Sequence, residues 1–197
     1  MRLLPNLVAV ALAAAMLAAA TAKPSDGLSA GAGSAAASNA TLNALFAADQ
    51  AARGVGGDGG FLMASEDRRR RQVVRRLLDE GAIHTGDDYF RAAFIFQHGE
   101  EADDFLLAHA LAVTAVAKGR SDANWIAAAT LDRYLQAIGQ PQIYGTQFQV
   151  RLDGSPATQG DYDRFLIPDA ARIAAGVPTL AQQEEQYQDV QARRRPG

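Results

Sequence analysis

There is no cysteine in the 197 residues. Disulfide stapling, thiolate metal sites and lipid attachment at a cysteine are therefore excluded. Histidine is scarce as well: His84, His98 and His109 are the only three. No His-Glu-x-x-His or Glu-x-x-His pairing occurs, so neither a metal nor a cofactor is expected. A Gly-x-Ser-x-Gly nucleophile elbow is also missing. The glycines of Val55 to Gly60 (V-G-G-D-G-G) have no following Gly-Lys-Ser/Thr and no strand before them. They read as a flexible turn rather than a phosphate cradle. The net charge of −3 is small and acidic, so no nucleic-acid partner is expected.

What is present starts with export. Met1-Arg2 is a short positive start, Leu3 to Ala20 is uncharged and Leu/Ala/Val-rich, and Ala20-Thr21-Ala22 is a small-x-small cleavage site. That is the layout of a secretory signal peptide over 1–22. The alternative is a retained anchor, since about eighteen apolar residues approach the spanning limit. Cleavage would leave no stable membrane span and a periplasmic or extracellular protein, and would remove Arg2, taking the net charge to −4. Residues 23–40 are Gly/Ala/Ser-rich without a period and read as a flexible linker. Residues 41–180 suffice for one domain with its own core, and 181–197 form a polar tail.

Within the domain the pattern is mainly α: a single helical bundle with a short β-hairpin or extended segment near 142–167. Thr41 to Arg53 is a helix candidate with Thr41 as its cap; Leu42, Leu45, Phe46 and Asp49 fall at helical spacing. A second helix starts at Ser65 and stops before Gly81. Its arginines, Arg68 to Arg71 with Arg75 and Arg76, read either as an anion patch or as a solvated face. Glu66, Asp67, Asp79 and Glu80 supply the opposite charge, which favours the solvated face. Tyr89 to His98 is a short helix or a buried strand. Helices follow over Glu100 to Lys118 and Ala123 to Ile138, the second capped by Ser121 or Asp122. Gln142 to Val150 alternates and is β-prone, with Asp153-Gly154 as a turn. Ala170 to Ala175 is a short helix.

The residues that could carry chemistry fall in three places. Gln97-His98 ends a hydrophobic segment at Gly99. His109 lies about ten residues before the turn at Lys118 to Asp122, and Asp132 about ten after it. Equal offsets across an antiparallel helix pair put the two at similar height, so Asp132 is expected to hold the His109 imidazole. On an extended chain Gln142, Tyr144 and Thr146 share one face, with Gln147 and Ile143 on the other. These groups suit either a polar ligand or a network that locks a loop onto helices.

The residues also resemble a family. Gln97-His98, the L-D-R-Y-L of 131–135 and the Q-I-Y-G-T-Q of 142–147 are similar to the signature of a bacterial domain-of-unknown-function family (the DUF 6624 type). Asp49-Gln50 with Arg53 resembles its early D-Q-x-x-R element, and Asp169, Arg172 and Gly176-Val177 its closing element. The likeness spans most of residues 42–180. Here A-A-R replaces the family's double arginine, so one basic contact is missing. The resemblance implies an α-rich domain whose polar signature residues converge on one pocket, Arg172 among them, and implies no activity.

Two functions stay open. One is an exported domain with a polar pocket built from Gln97, His98, His109, Asp132, Arg133, Gln142, Tyr144, Thr146, Gln147 and Arg172. As a hydrolase or transferase it would use His98 or His109 as general base, Asp132 as orienter and Arg133 as anion clamp. The other is a non-catalytic periplasmic or envelope-associated binding module whose polar residues lock the fold. Either takes a small polar or anionic ligand. The oligomeric state is not legible.

Overall fold

The computed structural model describes residues 9–11, 37–54, 60–150 and 156–194. The glycine turn at 55–59, most of 1–36 and the Asp153-Gly154 turn lie outside the described residues. The rest is mainly helical, as the apolar spacing predicts: α1 (Ala40–Gly54), α2 (Gly60–Asp79), α3 (Gly86–Phe96), α4 (Ala102–Ala117), α5 (Ala123–Ala137), α6 (Asp169–Ala174) and α7 (Leu180–Arg194). Two three-residue strands, β1 (Ala9–Ala11) and β2 (Phe148–Val150), pair antiparallel. None of the described helices is long and apolar enough to cross a membrane.

The bundle is built on α3, α4 and α5. Ala108, Ala112 and Ala115 lie at helical spacing on α4 and are fully buried. Without long side chains between them, α4 approaches both α3 and α5 closely. Ile95, Phe96, Leu111 and Ile126 fill the spaces between these helices. Helix α1 lies on α3 through Phe46, whose ring meets the edges of Phe90 and Phe94 at centroid distances of 6.3 and 5.8 Å.

The helix starts differ from expectation in instructive ways. Asn39, not Thr41, caps α1: its side-chain oxygen accepts from the Leu42 amide at 3.0 Å. Helix α2 begins at Gly60, so Ser65 to Asp67 lie inside it rather than at its first turn. The ambiguous segment at 89–98 is a helix because Thr85 and Asp88 form a capping box at its start. Asp122 makes no cap bond for α5; its carboxylate is held instead by Arg120 at 2.7 Å.

After α5 the chain crosses back over the bundle. Gln149 and Thr158 exchange both backbone hydrogen bonds, at 2.6 and 2.9 Å, which is the pairing of the expected hairpin. Gln142 and Tyr162 form a second, parallel bridge. Helix α7 brings Gln183, 2 % exposed, onto this crossing. The packed unit therefore continues past residue 180.

Candidate functional site

The polar residues gather in two adjoining clusters, and the first is built on Asp132. This residue is fully buried on α5. One carboxylate oxygen accepts from the amides of Ile143 and Tyr144 at 2.8 and 3.0 Å. The other accepts from the amide and the hydroxyl of Thr146 at 2.9 and 2.8 Å. Four donors use the acceptor capacity of both oxygens.

The same loop is held from its other side. The Tyr144 carbonyl accepts from Arg172 at 2.7 Å, Gln183 at 2.9 Å and the Tyr162 hydroxyl at 3.2 Å. Gln142 donates to the carbonyls of Gln147 and Gln159 and accepts from the Gln147 amide. Gly145 sits at φ +76°, and a Cβ there would lie 2.6 Å from the Tyr162 hydroxyl. Only glycine fits this kink. The kink also ends the expected alternation: 142–147 is a looped crossing, and Thr146 and Gln147 both turn inward to polar partners.

His109 does not join Asp132. Its Nδ1 lies 2.9 Å from the Ala127 carbonyl. Equal offsets from a turn fix height but not azimuth. Ala127 to Asp132 is five residues, about 140° around the helix axis, so Asp132 faces the crossing while His109 meets another side of α5. The pocket expected from ten residues is therefore divided, with His109 outside both clusters.

The second cluster holds Gln97, His98 and Arg133, together with residues not singled out for chemistry: Asp49, Arg53, Asp67 and Arg70. His98 Nδ1 lies 3.3 Å from Asp49 Oδ1. Arg53 donates to Asp49 and to Asp67, both at 2.7 Å, and Arg70 donates to Asp67 at 2.8 Å. Gln50 donates to the other Asp49 oxygen at 2.9 Å. Arg133 donates to the Gln97 carbonyl at 2.9 Å and to Gln147 Oε1 at 3.0 Å, and its guanidinium lies 5.9 Å from the Phe105 ring centroid. The Gln147 bond is the link between the clusters. A signal for Asp49 was present: an acid at helical spacing with Leu42, Leu45 and Phe46 must turn inward with them.

The charges of the two clusters differ. Burial alone would raise the Asp49 pKa, but the His98 hydrogen bond, the Arg53 charge and Gln50 hold it below its ordinary value. Burial lowers His98, Asp49 opposes this, and the charges of Arg53 and Arg133 add to the lowering. At neutral pH Asp49 is ionised and His98 is neutral. An ionised carboxylate only accepts, so the ring proton sits on Nδ1 and Nε2 carries the free lone pair. Burial also pulls Arg133 down to about 10, with the Arg53 charge adding to it. Among the described residues no carboxylate pairs with Arg133, and the Gln97 side-chain oxygen is buried without a partner. No three of His, Asp and Glu gather as metal ligands among the described residues.

No protein-family model, curated protein or solved structure matches this chain.

Proposed function

We propose that the protein is an exported ligand-binding domain whose site is the Asp49–His98–Arg53–Arg133 cluster. Its ligand is a small anion that also carries a hydrogen-bond donor, as a hydroxy acid does. The observation that carries this reading is Arg133: a buried guanidinium with two neutral acceptors and no carboxylate. A buried cation without a counter-ion is costly, and an anion that reaches it regains that cost. The partnerless Gln97 oxygen beside it calls for a donor on the same ligand. Arg53, a quarter exposed, gives the cluster an edge toward solvent. Export rests on the N-terminal layout, and an N-terminus at Lys23 in the mature protein would verify it.

Membership of the domain-of-unknown-function family is part of the proposal. Its support is that Asp49, Arg53, Gln97, His98, Asp132, Arg133, Gln147 and Arg172, spread over more than a hundred residues, belong to the two adjoining clusters.

The test is a thermal-shift series with glycolate, lactate and inorganic phosphate. At a hundred times Kd a ligand adds about 2.7 kcal/mol. At least one probe should raise the melting temperature of wild type and leave Arg133→Met unmoved. Equal shifts in both proteins, or none in wild type, would refute the site. A hydrolase or transferase reading is favoured by one observation, the free Nε2 of a neutral His98 backed by an ionised Asp49. It requires turnover that is lost in both His98→Gln and Asp49→Asn.

A further inference from the structure

A second cationic feature lies on α2. Arg68, Arg71, Gln72, Arg75 and Arg76 line a cleft of about 480 Å³, closed on its other side by Phe96 and Asp104. The sequence pattern suggested a solvated face with its charges balanced, and the structure divides that run. Arg70 and Arg71 turn inward, each 7 % exposed. Arg69 pairs with Glu66 and Arg70 with Asp67. Arg71 donates to the His98 carbonyl at 2.6 Å and lies 3.4 Å from Asp104. Arg68 meets Glu100 at 2.8 Å, with both side chains largely exposed.

Arg75 and Arg76 are different. Among the described residues neither has a carboxylate within ion-pair distance, and Asp79 and Glu80, one turn further on, do not reach them. Arg75 is also oriented: its guanidinium lies 5.1 Å from the Phe96 ring centroid. Stacking on an aromatic face leaves the in-plane N–H groups free at the edge, the geometry that grips phosphate oxygens in pairs. From Arg68 to Arg75 is seven residues, about 10 Å along the helix. One phosphate would occupy only part of that row.

We infer that this cleft binds a ligand carrying two or more phosphate groups in line, held by Arg75 and Arg76 with Arg68 at the far end. The inference is independent of the Arg133 site, which uses a different set of cations. The phosphates can belong to a soluble oligophosphate or to neighbouring lipid headgroups.

Calorimetric titration of the full chain with inorganic tripolyphosphate tests it, using wild type, the double variant Arg75→Gln/Arg76→Gln, and Arg133→Met. Wild type and Arg133→Met should bind alike. The double variant should bind at least tenfold more weakly with an unchanged melting temperature, because both side chains are exposed. Cosedimentation with phosphatidylglycerol vesicles separates the sources. Vesicle binding that the double variant loses assigns the phosphates to headgroups; tripolyphosphate binding without vesicle binding assigns them to a soluble ligand. Binding of neither probe, or equal binding by wild type and the double variant, overturns the inference.

Discussion

The Asp132 cluster and the His98 cluster lie side by side, joined by the Gln147–Arg133 hydrogen bond, yet their polar accounts differ. Asp132 receives four donors, and the loop it holds is bonded again from Arg172, Gln142 and Gln183. Little is left over there for a ligand. The His98 cluster has a neutral imidazole with a free nitrogen, a guanidinium without an acid and an amide oxygen without a donor. Burial is equally deep at the centres of both, since Asp49 is 1 % and Asp132 0 % exposed. Saturation, rather than depth, separates a fold lock from a candidate site.

Substitutions can break that contrast. The largest effect is expected for Asp132→Asn, which replaces one acceptor oxygen by a donor facing donors. The loss should be about 3 kcal/mol in urea unfolding. A loss below about 1 kcal/mol would mean that the crossing is held by its other bonds.

Asp88 gives the same lesson with a pH readout. Burial would raise its pKa, but bonds from Thr85, Asn39, Ser38 and His84 bring it down to about 2, against an ordinary value of 3.8. A carboxylate with a depressed folded pKa stabilises above its unfolded pKa, and that contribution fades as pH falls from about 4 toward 2. It amounts to about 2 kcal/mol. Asp88→Asn should lower stability at pH 7 and flatten the acid limb of the stability curve.

His98 should act with a smaller amplitude. Its folded pKa is lowered, so below its ordinary value of 6.5 the unfolded chain takes up a proton that the fold refuses. Stability then falls as pH drops below 6.5. His98→Gln should remove that part of the slope, read from urea midpoints at pH 7.5 and 5.5. An unchanged slope would place the ring in ordinary solvent contact.

The bundle was legible in the sequence because apolar residues recur at helical spacing and glycines mark the stops. The Asp132 lock was half legible: the polar loop was visible, and so was the option that it locks rather than binds. The direction of Asp132 was not, because counting from a turn gives height and no azimuth. Asp49 could be read as an inward acid on α1, but its partner lies 49 residues away. No local spacing encodes that meeting; it depends on α1 packing across α3. The division of the arginine run on α2 into inward and outward members likewise depends on which helix face meets α3.

The central claim is that the two clusters differ in saturation. The most direct measurement is the unfolding free energy of Arg133→Met set beside Asp132→Asn in one ligand-free buffer. Methionine keeps most of the packing and removes an uncompensated buried charge, so the loss should be about 1 kcal/mol or less, against about 3 kcal/mol for Asp132→Asn. Equal losses would show that Arg133 is as fully built into the fold as Asp132, and the candidate site would become a second lock.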